Sequence, residues 1–378
     1  MNRENIEKFL EEAAAIEAED AKKAGTIGYM ARVLTQATLP HREAEGNQFI
    51  RRNGAFELSI TALGASGLPF GSIPRLLLSW MTTEAVRTRS PLLELGPSLS
   101  QFMTQLGLAV QGGKRGDITR FRNQTMRLFS SAISCRYLDD EMALGESFAI
   151  ARRFALWWDP KRPEQGALWK STVTLSTDFF DEIVKRPVPI DMRALHILKQ
   201  SPLALDIYCW LTHRLSYLGK ETVIPWQALQ WQFGANYADS SRGLLDFKRA
   251  FLRQLRAVHV CYPQAKIEDG ASGLILKPSP PHVPLRPTAE ALTSKRRNAA
   301  SLADNPLEQA MRPLIEGTPL PFALRPETYE KAKQAAPGFD VYALEQHWLE
   351  WIAKKTEPPK NPDRAFIGFC RAKAKKPV

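Results

Sequence analysis

No stretch of the sequence reaches the roughly 18 uninterrupted apolar residues that mark a membrane-spanning helix. The opening segment, MNRENIEKFLEEAAAIEAEDAKKAG, has an acidic helical pattern without an apolar centre, so it does not read as a secretory signal. Nothing here calls for a membrane. Cysteine is scarce: Cys135, Cys209, Cys261 and Cys370 are far apart, and none lies in a CxxC pair. Three of the four sit in apolar surroundings typical of buried thiols, which fits a reducing cytoplasm and argues against zinc. The six histidines form no HxH, HExxH or His–Cys cluster, which argues against a zinc hydrolase and a metal-binding relaxase.

Catalytic signatures are missing too. In GLAVQGGKR the interval from Gly107 to Gly113 is too long for a phosphate loop, and Arg115 stands where Ser or Thr must ligate magnesium. GASGLPFG is not the GxGxxG of a dinucleotide site and follows no strand. The acidic trio Asp139 to Glu141 cannot turn every carboxylate towards one ion, and nothing marks Tyr208 or Tyr237 as a nucleophile. The expectation is a protein that is not an enzyme and uses no cofactor or metal.

What is present is positive charge. Lys and Arg number 51 against 40 Asp and Glu, a formal +11 that favours a polyanionic partner. With 378 residues, 44% of them hydrophobic, the chain can bury real cores in about two to three domains.

A pattern occurs twice. SIPRLLLSWMTTEAVRT is an apolar helix opened by Ser72 and Pro74, and GPSLSQFMTQLG is a second, with Ser98 as N-cap and Gly107 as its stop. A basic helix follows in GGKRGDITRFRNQTMRLFSSAIS, then two strand-like runs, SFAIARRFALWW and ALWKSTVTLS, around the turn DPKRPEQG. The order then recurs. SPLALDIYCWLTHRLSYLG repeats the first helix, with WLT at Trp210 to Thr212 echoing WMT at Trp80 to Thr82. IPWQALQWQFG is the second helix, LLDFKRAFLRQLRAVHV the basic third, and VHVCY and GLILKP the strands of a hairpin around PQAKIEDGAS. Helix, helix, basic helix, hairpin is the layout of a winged-helix domain.

The third helix of the second copy separates into two faces at 100° per residue. Arg242, Arg249, Arg253 and Arg256 fall within about 80° of one another with Asp246 among them, opposite Leu244, Phe247, Phe251, Leu255 and Val258, while Leu245 and Leu252 border the apolar side. A basic helix alone is most often a solvated surface. Here the row is nearly all Arg, whose fork matches guanine and phosphate oxygens, and the helix is third in its unit. A hairpin with Lys266 and Lys277 follows, so DNA contact is the stronger expectation. In the first copy, Arg120, Asn123, Gln124 and Arg127 share a face, and Lys114 and Arg115 precede the helix. A DNA clamp and a solvated face beside a protein interface remain equal alternatives there.

After this the composition changes. KPSPPHVPLRP has five prolines between Pro278 and Pro287 and is expected to be extended, followed by the polar TSKRRNAASLADNP. From about Asn305 a helical pattern around DVYALEQHWLEWIAKK predicts a small module. Its Tyr342, Trp348, Trp351, Phe366 and Phe369 alternate with Lys354, Lys355, Lys360, Arg364 and Arg371, a composition suited to single-stranded nucleic acid. The helical spacing of Leu344, Trp348, Trp351 and Ile352 instead points most of these aromatics into a core.

LPFGSIPRLLLSWMTTEAVRTRSPLLELGPSLSQFMTQLGL, GGKRGDITRFRNQTMRLFSSAIS and FFDEIVKRPVPIDMRALHILKQSPLALDIYCWLTHRL together resemble bacterial plasmid replication initiators of the RepA type, over about Phe56 to Pro284. The most specific part is SPLALDIYCWLTHRL. The resemblance implies an α+β, mainly helical chain with tandem winged-helix domains that bind repeated double-stranded DNA sites (iterons) at a plasmid origin, in the bacterial cytoplasm. It implies a homodimer that exchanges with monomer, the monomer opening the origin and recruiting the host replicative helicase or initiator. The first winged domain would carry dimerisation and backbone contacts, and base reading would fall on Arg242, Lys248, Arg249, Arg253 and Arg256 in the second. The corresponding divisions are a helical extension 1–54, winged-helix domains 55–186 and 187–284, a linker 285–304 and a helical module 305–378. A winged-helix transcriptional repressor is the nearest alternative, and a primase or relaxase a more distant one.

Overall fold

The computed structural model describes most of residues 21–283, with gaps at 22, 37, 54–55, 114–115, 139–142, 159–160, 166–169 and 186. It also describes a few residues between 9 and 16, and residues 326–336, 344, 348 and 361–374. The chain divides into two compact units, residues 1–316 and 317–378.

The first unit begins with β1 (Ile27–Met30), α1 (Val33–Gln36) and the hairpin β2 (Gln48–Asn53) and β3 (Phe56–Ala62). Then comes α2 (Ser72–Thr88), coincident with the apolar run expected from sequence, followed by the short β4 (Leu92–Glu94). Ser98 caps α3 (Leu99–Gln105) by accepting the Gln101 N–H at 3.3 Å. The chain leaves it through Gly107, whose φ is +70°. A Cβ at Gly107 would stand 2.9 Å from the His196 ring, so glycine is required for space as well as conformation. The basic helix α4 (Asp117–Phe129) runs into β5 (Ser131–Leu138), β6 (Ala143–Ala149), β7 (Ala151–Ala155) and β8 (Thr172–Leu175).

α5 (Thr177–Lys185), β9 (Val188–Asp191) and α6 (Met192–Leu198) lead to α7 (Pro202–Leu215), which Ser201 caps through the Ala204 N–H. β10 (Thr222–Pro225), α8 (Trp226–Phe233), α9 (Ser241–Cys261), β11 (Ile267–Asp269) and β12 (Gly273–Leu276) follow. All strand pairing is antiparallel among the described residues, in sheets ordered β1-β9, β2-β3-β5-β6, β4-β8-β7 and β10-β12-β11.

The repeat seen in the sequence is a repeat of structure. Leaving out β5 and β6, which are inserted after α4 in the first copy, each copy runs helix, strand, helix, helix, strand, strand: α2-β4-α3-α4-β7-β8, then α7-β10-α8-α9-β11-β12. In both sheets the last strand lies between the other two. The matching tryptophans have matching jobs. Trp80 meets Phe102 edge-on at 4.7 Å, and Phe102 meets Phe121 of α4 at 5.8 Å. Trp210 meets Phe233 edge-on at 5.6 Å, and Phe233 meets Phe251 of α9 at 5.6 Å. Each copy thus seats its third helix on an aromatic chain that starts in its first.

Three expectations need correction. VHVCY is not a strand, because α9 continues to Cys261: Leu255, Val258 and Cys261 are all buried, so the helical period outweighs the β-branched composition. The hairpin begins later, at Ile267. The strands β4 and β10, of three and four residues, are too short to carry a legible alternation. In the first copy, β5 and β6 intervene between α4 and the final hairpin and join β2 and β3 in the four-stranded sheet.

The first helices of the two copies are joined by a buried ion pair. Arg75 of α2 donates Nε to Asp206 Oδ1 and Nη2 to Oδ2, both at 2.7 Å, from opposite helices. Its remaining N–H groups reach the Leu39, Pro40 and Gly71 carbonyls, and His41 Nε2 lies 2.7 Å from Asp206 Oδ2. Burial alone would raise the Asp206 carboxyl, but Arg75 and the His41 bond hold it below its ordinary pKa.

Unit 2 has its own core. Trp348, Phe366 and Cys370 are fully buried with Ala332, Ala336 and Leu344, between α10 (Pro326–Ala335) and α11 (Pro362–Ala374). Trp348 and Phe366 have ring centroids 5.1 Å apart, so both serve the core, as the helical spacing indicated for Trp348. Tyr342, Trp351, Ile352, Lys354, Lys355 and Lys360 lie outside the described residues.

Two outcomes follow. Asp206→Asn leaves the Arg75 charge buried without its counterion and is expected to cost ~3–5 kcal/mol in urea unfolding. A loss below ~1 kcal/mol would contradict this role. Acid should also destabilise the fold. Burial depresses His41 and His196, and takes His213 to about 3 and His282 to about 4. Depressed groups stabilise above the unfolded pKa, and that contribution is lost as pH falls, because unfolded histidines protonate near their ordinary 6.5. Unfolding free energy should fall below pH 6.5 by up to ~1.4 kcal/mol per pH unit for each histidine, and His213→Gln should remove one increment. A flat profile from pH 7 to 5 would rule this out.

Candidate nucleic-acid interface

α9 is positioned from its N-terminus. Ser240 accepts the Gly243 N–H at 3.1 Å, and Gly243 lies so close to the preceding turn that a Cβ would meet the Ala238 carbonyl at 2.0 Å. Only glycine permits that approach. One face then buries Phe247, Phe251, Leu255, Val258 and Cys261, with Leu244 and Leu252 partly covered.

The opposite face is the arginine row. Arg242 and Arg249 are 83% and 78% exposed, and both pair with Asp246, at 3.3 and 3.2 Å. Asp246, one turn from each, thereby steadies two guanidiniums that start two turns apart while cancelling one of their charges. Arg253 and Arg256 are exposed and have no ion-pair partner among the described residues. The row offers four cations against one carboxylate, with no acidic residue in the helix's first turn.

Other expected residues are placed differently. Lys248 is only 26% exposed, bonded to Asp269 of β11 at 2.8 Å and set 4.6 Å over the Trp226 ring. It braces α9 against the hairpin and α8. Lys277 pairs with Glu268 and lies 3.9 Å from Glu221, leaving Lys266 as the exposed cation of the hairpin without an ion pair among the described residues.

In the first copy, Arg120 is exposed and pairs with Asp117, while Asn123 is exposed. Gln124 is buried and accepts the Phe70 N–H at 2.8 Å. Arg127 pairs with Glu43 at 2.7 Å, donates to the Leu68 carbonyl and stacks 5.1 Å over Phe70. Those two side chains hold the segment that leads into α2. Lys114 and Arg115 lie outside the described residues, as does the acidic trio Asp139 to Glu141.

Sequence reasoning missed cations on β7. Phe154, Leu156 and Trp158 turn inward, so Arg153 and Trp157 face solvent, Trp157 at 55%. A bulge between Ala151 and Arg153 leaves Arg152 exposed as well. The alternation in RRFALWW carried that signal; the bulge did not show.

No group of three or more His, Cys, Asp and Glu able to hold a metal occurs among the described residues. All four cysteines are buried and free, and burial pushes Cys261 up to about 12 and Cys370 up to about 11. Tyr208 is fully buried, accepts the Asp191 N–H at 2.9 Å and lies 2.7 Å from His282 Nδ1, so its hydroxyl meets no solvent-borne substrate. No described helix is long and apolar enough to cross a membrane.

The molecule is thus a mixed α/β chain with a repeated six-element unit and an arginine-lined third helix in the second copy. Residues 68–232, somewhat less than half of the chain, match the family model described as "Plasmid encoded RepA protein", which bears out the RepA-type resemblance over that stretch. The match ends before α9. Similar solved structures include the crystal structure of RctB domains 2-3, at 13% identity and a TM-score of 0.41, covering 65% of this chain and 96% of that one. Another, of selenomethionine derivatives of domains 2 and 3 of RctB, shows 14% identity and a TM-score of 0.42 over the same shares. These distant likenesses add no argument beyond the elements themselves. No curated protein matches the chain.

Lys248 and Arg253 provide a direct contrast. Lys248→Ala should lower stability by about 1 kcal/mol, since it removes a cation–π contact and an ion pair. Arg253→Ala should stay within ~0.5 kcal/mol. Equal thermal melting of the two variants would contradict the bracing role.

Proposed function

We propose that this protein is a plasmid replication initiator that binds repeated duplex DNA sites at an origin, with both six-element copies acting as winged-helix domains. The observation that carries the reading is the α9 arginine row, held outward by the burial of Phe247, Phe251 and Leu255. In a winged-helix domain the third helix enters the major groove with its N-terminal residues towards base edges. Arg242 and Arg249 then read guanine O6 and N7, while Arg253 and Arg256 meet bases or phosphates further along. Lys266 reaches the backbone, and Lys248 and Lys277 act by positioning the helix and hairpin. Arg120, Arg122 and Asn123 of α4, with Arg152 and Arg153 of β7, are the exposed groups from which the first domain would contact a backbone.

Action here is by binding and not by catalysis. The homodimer, its exchange with monomer, the host helicase or initiator and the bacterial cytoplasm enter through the family resemblance, and the C-terminal unit is the candidate for contact with the host machinery. A transcriptional repressor would use α9 in the same way; a plasmid carrying only the origin region and this gene separates the two, since it replicates only with an initiator.

Footprinting on the DNA flanking its own gene should show regularly repeated protection. Arg249→Ala and Arg253→Ala should each weaken that binding by ~1–3 kcal/mol where the side chain reads a base. A loss of only a few tenths at both positions would remove α9 from the interface.

A further inference from the structure

Leu245 stands out on the arginine face. It is 59% exposed, although its neighbours Leu244 and Leu252 are partly covered by the core. It lies three residues after Arg242 and four before Arg249, one turn from each on the same side of α9. Both arginine head groups are held by Asp246, which lies on the other side of them from Leu245 at 100° per residue, so the isobutyl group of Leu245 stays uncovered.

We infer that Leu245 is a specificity-determining residue that reads the 5-methyl group of a thymine in the major groove, beside a guanine taken by Arg242 or Arg249. The inference rests on α9 being the reader proposed above. Leu245 can neither donate nor accept a hydrogen bond, so against a base edge of donors and acceptors it would only desolvate them. Thymine alone among the four bases turns an apolar group into that groove. Leu245 occupies the N-terminal third of α9, the part that meets base edges in helix-turn-helix docking. Four residues of helix span about 6 Å, less than two base-pair steps of ~3.4 Å, which sets the thymine within two steps of the guanine that Arg249 contacts.

The test uses the full chain. Duplexes are selected from a randomised library by the wild-type protein, and the best are resynthesised with deoxyuridine replacing thymidine one position at a time. Binding is then measured by fluorescence anisotropy for wild type, Leu245→Ala and Arg249→Ala. One position is expected where loss of the methyl weakens wild-type binding about three- to five-fold, the ratio for one buried methyl. Leu245→Ala should show no difference there, and Arg249→Ala, though weaker, should keep it. Leu245→Ala should fold normally, because the side chain is exposed and alanine favours helix, and an unchanged melting curve verifies this. No sensitive position, or equal sensitivity in Leu245→Ala, overturns the inference while leaving α9 as reader. Failure to enrich any duplex overturns the reader itself, and this inference with it.

Discussion

One guanidinium organises residues 21–283. Arg75 is buried on α2, yet every one of its N–H groups has an acceptor: both oxygens of Asp206 on α7, and the Leu39, Pro40 and Gly71 carbonyls. A buried charge is tolerated only when it is paired and its hydrogen bonds are complete. Satisfying Arg75 therefore fixes three things together: where α7 crosses α2, how the 39–41 segment lies, and how that segment meets Gly71. His41, on the second side of Asp206, completes the shell of the carboxylate.

Further ties run through the same seam. Arg51 of β2 donates to the Trp231 carbonyl at the end of α8, and Gln232 donates to the Thr35 carbonyl. The buried Arg51 guanidinium is pulled down to about 10 by desolvation, with Asp206 opposing and Arg75 adding to the shift. Polar groups from both copies thus share a water-poor seam. The helix that supports α9 on one side touches, on the other, the sheet that extends the first copy.

Much of this was legible because it was local. Ser98 announces its helix as a cap, Gly107 marks that helix's end, and the period of Phe247, Phe251 and Leu255 identifies the buried side of α9. Strands of three or four residues leave no period to detect, and a β-branched helix end such as that at Val258 to Cys261 reads as a strand until its burial is known. At the surface, a row of arginines in sequence is also a row in space. Which cations are engaged is another matter. Lys248 meets Asp269, and Arg127 meets Glu43, across 21 and 84 residues, and no periodicity encodes those meetings. The sequence therefore gives the inventory of positive charge, and the tertiary fold decides how much of it faces outward.

The weld between α2 and α7 has a geometric consequence. Each copy seats its third helix on its own first helix through an aromatic chain, and the two first helices are locked together by Arg75 and Asp206. The separation and angle between α4 and α9 are therefore set inside the protein. Such a chain is a ruler with two marks. Any partner touching both marks must present features at the interval the seam dictates, and a substitution at the seam would change the scale of the ruler while leaving both marks intact.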